Sequence, residues 1–146
     1  MSVADRLAIL DAIARYSYTF DGRQVDAFVQ LFTEDGVFEM FAANGTEPEL
    51  VMTARAGIHA WVTEWYAELD PAIQSRHFQS GTIFEQLSPT SAKTSTMLMT
   101  TAQHPDEASP RVKMTGVYHD SWIKTAEGWR ISKRILRHDF QAQLDE

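Results

Sequence analysis

The sequence predicts an α+β fold, with helices packed on one face of a long-stranded antiparallel sheet. Three observations predict it. Apolar residues recur at helical spacing through the first half of the chain, as far as Leu69. Thr, Val, Ile and aromatic residues at strand-like spacing fill the half that follows Pro71. The 146-residue chain is 44% hydrophobic and carries no repeat, low-complexity segment or linker, so residues 1–146 read as one domain.

Ser2 followed by Asp5 has capping-box spacing. Leu7, Leu10, Ile13, Ala14, Ser17 and Phe20 then space a helix over 3–20, which Asp21-Gly22 ends. A short second helix over about 23–32 turns Val25, Phe28, Leu31 and Phe32 inward. Glu34-Asp35-Gly36 marks a turn into a strand over 37–41, and Asn44-Gly45 with Pro48 marks a loop before an extended piece at 50–53. Thr53 is the candidate cap of a third helix over about 54–69, buried through Ile58, Trp61, Val62, Trp65 and Leu69. Four strands follow at 77–88, 93–103, 111–125 and 129–140, joined through Ser88-Pro89, His104-Pro105 with Ser109-Pro110, and Glu127-Gly128. In 111–125 the even positions Val112, Met114, Gly116, Tyr118 and Trp122 face the helices, Gly116 allows a bend, and Asp120 breaks the pattern. In 129–140 the odd face carries Trp129, Ile131 and Ile135 and ends in Arg137, with Lys133 discordant.

Thirteen Lys and Arg against twenty Asp and Glu leave a net charge of −7, which disfavours nucleic acid and anionic membranes as partners. Zero cysteines exclude disulfides, thiolate zinc sites, iron–sulfur ligation and a cysteine nucleophile. No stretch approaches a membrane span or a leader sequence, and a cytoplasmic location is the expectation. The seven glycines are too scattered for a dinucleotide fingerprint or a P-loop, and no G-x-S-x-G elbow occurs. His59, His77, His104, His119 and His138 show no two-ligand spacing, so no metal site is expected. Lys124, Arg130, Lys133, Arg134 and Arg137 make the last hairpin basic, which a solvated strand pair explains.

Several stretches resemble a known family. Ala14-Arg15-Tyr16-Ser17-Tyr18-Thr19-Phe20-Asp21-Gly22-Arg23, then Asp26-Ala27-Phe28 and Leu31 to Phe38, resemble the opening of SnoaL-like proteins of the nuclear-transport-factor-like superfamily. Gly116 to Asp120 and Glu127-Gly128-Trp129-Arg130-Ile131 to Arg134 resemble that group's last hairpin. Arg76 to Thr82 is similar to the histidine-bearing strand of its dehydratase branch. The resemblance implies a cone-shaped α+β barrel in which three helices close a curved mixed or antiparallel sheet around a deep pocket, often in dimers or trimers.

Scytalone dehydratase, hexachlorocyclohexane dehydrochlorinase and bile acid 7α-dehydratase share an aspartate after the first helix and a histidine opening a central strand; Asp21 and His77 match. Tyr16 matches a contributing tyrosine of the bile acid enzyme, and Arg137 an arginine of its final strand. The general-base aspartate of ketosteroid isomerase falls at Met40, whose thioether takes no proton, and Phe20 replaces a tyrosine of scytalone dehydratase. The resemblance thus implies a cofactor-independent lyase, a dehydratase-like β-elimination with a His–Asp dyad, on a small hydrophobic or cyclic hydroxylated molecule.

In that chemistry neutral His77 is the base and Asp21 orients it, while Tyr16 or Tyr18 donates to oxygen at the reacting centre. Arg137 binds a carboxylate or enolate, and Tyr118, Trp61 and Phe38 supply an apolar lining. Two other readings stand beside it. One is a non-catalytic binding or assembly module resembling the small subunit of ring-hydroxylating dioxygenases. The other is an isomerase or polyketide cyclase. Asp21-x-x-Gln24 also reads as a capping box for the second helix, and His77 as an ordinary core residue.

Overall fold

Ser2 caps the first helix, α1 (Val3–Asp21), as its spacing predicts: its hydroxyl accepts from the Asp5 backbone N–H, and the Asp5 carboxylate accepts from the Ser2 N–H. The computed structural model describes residues 2–140. The stripe that α1 buries is Ile9, Ala12, Ile13, Tyr16 and Phe20. Leu7 and Leu10, members of the predicted stripe, face solvent instead. Both stripes have helical period, and contact with the sheet chose between them. Arg23 ends the helix in the left-handed region, at φ 57°, beyond Gly22 at φ −83°.

The second helix, α2, contracts to Val25–Val29, and the first strand, β1 (Phe32–Phe41), starts earlier than its apolar run suggests. The remaining elements are β2 (Leu50–Thr53), α3 (Ala54–Glu68), β3 (Gln74–Leu87), β4 (Ser91–Gln103), β5 (Arg111–Thr125) and β6 (Gly128–His138). Thr53 precedes α3 but makes no capping bond with its side chain. The three helices pack on a single six-stranded sheet ordered β2-β1-β6-β5-β4-β3. All neighbours are antiparallel except β1 and β6, which run parallel and make the sheet mixed. The sheet is curved and left open, with β2 and β3 as its edges, so the expected barrel is not closed.

Three bulges decide which side chains face the helices. Gly81, at φ 64°, sits where the β3–β4 register shifts, so Ser75, His77 and Gln79 point inward before it and Thr82 and Phe84 after it. Lys113 is the extra residue between Met114, which pairs with Thr100, and Val112, which pairs with Thr101. Val112 is therefore exposed, against the even-position pattern. In β6 the extra residue is Ser132: Ile131 pairs with Trp122 and Lys133 with Ser121. Beyond it the inward parity flips from odd to even. Trp129 and Ile131 are buried, then Arg134 and Leu136, while Arg137 is turned out. This corrects the predicted odd face and explains the discordance at Lys133.

Gly116 serves close approach rather than a bend. A Cβ there would lie 2.4 Å from the Arg137 carbonyl oxygen across the β5–β6 pair. Gly116→Ala is expected to destabilise the fold by about 1–3 kcal/mol through backbone displacement; urea unfolding measures it, and a change within 0.5 kcal/mol, roughly that of a neutral surface substitution, contradicts it.

Candidate active site

The last residue of α1 lies against the first turns of β3, which brings Asp21 to His77 across 56 positions of sequence. The Asp21 carboxylate accepts three hydrogen bonds: from Ser75 Oγ at 2.8 Å, from the His77 backbone N–H at 2.7 Å and from His77 Nδ1 at 2.7 Å. A carboxylate at a helix C-terminus is opposed by the helix dipole, so local preference does not account for it. The three donors do. Burial pushes the Asp21 pKa up, but the hydrogen bonds and charge from His77 and the Ser75 hydroxyl outweigh it and hold the carboxyl below its ordinary value. The capping-box reading of Asp21 is corrected as well: the cap of α2 is Gln24, which makes no side-chain capping bond.

Because Nδ1 faces a carboxylate, it carries the proton, and Nε2 is the basic nitrogen. Among the described residues Nε2 has no hydrogen-bond partner. The His77 ring packs edge-on against Phe20 and Tyr16, with centroids 4.8 and 6.2 Å away. It lines a cavity of about 510 Å³ between the helices and the inner face of the sheet. Phe38, Met52, Trp61, Val62, Trp65 and Leu136 supply apolar walls, and the rings of Trp61 and Trp65 stack at 5.6 Å. Polar groups are few: Tyr16, Tyr118, Ser75, His77, Thr100 and Thr101 inside, with Glu49, Lys113 and His138 also in the wall.

Tyr16 and Tyr118 are buried side by side, and the Tyr118 hydroxyl donates to that of Tyr16 at 3.3 Å. That leaves the Tyr16 proton to be offered to a ligand. Burial pushes both phenols above their ordinary value, so they are neutral donors at neutral pH. Beneath them sits Arg134, which sequence reasoning placed on a solvated hairpin and which is fully buried. Its Nε and Nη2 donate to Asp120 at 2.7 and 2.8 Å. Two charges on neighbouring strands of an apolar face, Asp120 in β5 and Arg134 in β6, were the signal for that pair. Reading it required the bulge at Ser132.

The structure thus brings together Asp21, His77, Tyr16, Tyr118, Phe38 and Trp61 from the residues the sequence nominated. It separates two others. Tyr18 is 80% exposed and faces away from the cavity, because α1 turns its Tyr16 side inward. Arg137 is exposed on the outer face, with its guanidinium over Phe41 and bonded to the Gly45 carbonyl. Among the described residues, no three His, Cys, Asp or Glu side chains cluster closely enough to hold a metal ion.

Residues 1–135 match the SnoaL-like domain family. No curated protein matches the chain. Among solved structures, ActVI-ORFA from Streptomyces coelicolor superposes with a TM-score of 0.80 at 26% identity, over 92% of this chain and 96% of that one. Aln2 from a Streptomyces species gives 0.80 at 21% identity, over 95% and 94%. A beta subunit assigned to an aromatic-ring-hydroxylating dioxygenase of Novosphingobium aromaticivorans gives 0.82 at 16% identity, over 96% and 92%. The last two likenesses are of fold alone.

Proposed function

The chain belongs to the SnoaL-like family, and on that premise we propose that it is a cofactor-independent lyase, catalysing a dehydratase-like elimination on a small hydrophobic or cyclic hydroxylated molecule. The observation that carries this reading is the 2.7 Å bond from His77 Nδ1 to Asp21 at the wall of an apolar cavity. Its Nε2 takes a proton from the carbon next to a substrate carbonyl, and Asp21 stabilises the imidazolium that forms. Tyr16, backed by Tyr118, donates to the carbonyl oxygen as negative charge develops there. The enolate then reforms the carbonyl, its pair closes the new carbon–carbon double bond as the bond to the β-hydroxyl breaks, and that bond's pair leaves on oxygen, which takes the imidazolium proton and departs as water. One histidine serves both transfers, so base and leaving group lie on the same face of the substrate. Arg137 has no part in this scheme.

The test is a thermal-shift screen of pooled hydroxylated cyclic compounds on wild type and His77→Ala, followed by turnover of the hits. Compounds that stabilise both proteins, with an alkene product formed by wild type alone, are the expected result. Stabilisation of both with turnover by neither overturns the lyase and favours the binding module.

We also propose that the protein, a single domain in the cytoplasm, is a homo-oligomer, a dimer or trimer packed through the outer face of the sheet. Phe78, Met97 and Met99 are exposed there, in adjacent register on β3 and β4. Met97→Glu is expected to lower the mass measured by light scattering to that of one chain. A wild type already monomeric at micromolar concentration contradicts the proposal.

A further inference from the structure

Arg134 and Asp120 form a pair with no exposed surface on either side chain. Stability alone gives little reason for it, since replacing a buried ion pair whole by apolar residues is often neutral or favourable. Its position is more informative. The guanidinium carbon lies 4.1 Å from the centroid of the Tyr16 ring and 3.7 Å from that of Tyr118. The two rings stand 5.5 Å apart at 67°, so one cation addresses both phenols. Nη2 also donates to Gln79 Oε1 at 3.2 Å, and Gln79 Nε2 donates to the Ile13 carbonyl and Ser17 Oγ of α1. Nη1 has no hydrogen-bond partner among the described residues, which leaves the ring faces as the remaining counterpart of the charge. Both rings meet the cavity; Arg134 does not.

We propose that Arg134, fixed by Asp120 and Gln79, is a positioning residue that acts through Tyr16 and Tyr118, holding the two rings by their faces and strengthening the Tyr16 hydroxyl as a donor to an oxygen that gains negative charge in the cavity. This rests on the reading above that the reacting oxygen sits at Tyr16. A cation on a phenol face stabilises electron density pushed onto the ring as its proton is shared, and burial keeps water from screening it. The other titratable groups facing these phenols are Asp120, whose charge opposes Arg134, the phenols themselves, His77, edge-on to Tyr16 at 6.2 Å, and Tyr66, which interacts with Tyr16. The guanidinium carbon lies about 4 Å from both ring centres, and its charge outweighs that of Asp120 at both phenols.

The experiment compares wild type, Arg134→Lys and the double variant Asp120→Leu/Arg134→Met, which leaves no lone buried charge. Each is first checked for native circular dichroism. Two readouts follow: tyrosinate absorbance against pH, and fluorescence binding of 2-naphthol with halogenated 2-naphthols of similar shape and rising acidity. The expected result is a phenol titration displaced to higher pH in the double variant, and a loss on the order of tenfold in affinity for the most acidic naphthol with little change for the least acidic. Arg134→Lys retains part of both. A folded double variant with unchanged titration and unchanged naphthol preference overturns the inference. If wild type binds no naphthol, the reading of the cavity as the reacting site falls, and the tyrosinate titration alone decides the role of Arg134.

Discussion

Asp21→Asn is expected to reduce turnover by about 10²–10⁴-fold while leaving the cavity shape unchanged. The reason is the tautomer. An amide that turns its NH₂ toward His77 Nδ1 forces the proton onto Nε2, the nitrogen that has to accept one. An amide that turns its oxygen there keeps the Ser75 bond, which falls on the same oxygen, but sets its NH₂ against the His77 backbone N–H, itself a donor. Either way a buried donor loses its acceptor, at a cost of about 1–3 kcal/mol in stability. The pH dependence separates this from a general loosening. Asp21 has its carboxyl held below the ordinary 3.8, so the stability it contributes is complete above that value and is lost as the pH falls through the lower, folded one. Acid unfolding of Asp21→Asn should be flatter below pH 3.8 than that of wild type. Equal acid limbs, or turnover within tenfold of wild type, would contradict the role given to this carboxylate.

Arg134→Met alone is expected to be the most destabilising of these substitutions, at about 3–5 kcal/mol, because it leaves Asp120 charged, buried and unpaired. Asp120→Leu/Arg134→Met should recover most of that loss. The two singles and the double form a cycle in urea unfolding, and strong non-additivity is the expected signature of one shared interaction. Additive losses would mean that the two side chains matter to the fold separately. The same cycle prepares the double variant on which the phenol measurements rest.

The sequence showed different features with different clarity. Ser2 and Asp5, the bounds of β5 and the burial of Ile58 and Val62 in α3 were legible because each follows from local chemistry within a few residues, whereas Trp65 of the same predicted stripe is exposed. The start of β1 was not. Its pairing runs parallel to β6, about a hundred positions later, and begins at Phe32 with Ile131. No local signal announces a partner so distant. Asp21 and His77 were nominated by resemblance, and Trp61 and Phe38 by their apolar character; His77, Trp61 and Phe38 line one cavity, and Asp21 is bonded to His77. Arg137, nominated by resemblance, and Tyr18, nominated as a donor beside Tyr16, both point away from the cavity.

The sequence by itself determined the order of helices and strands and the chemical types available to a site without thiols, while resemblance alone paired an acid with a histidine. Only the tertiary structure decided which face each side chain occupies. Period-two and period-3.6 patterns fix relative orientation within an uninterrupted element, but one extra residue at Ser132 reverses every side chain beyond it. Whether that residue is looped out depends on hydrogen bonds to the neighbouring strand and on burying Arg134 against Asp120. Those energies exist only once β5, β6 and α1 are together, which is why the buried arginine was read as a surface one and the surface arginine as part of the site.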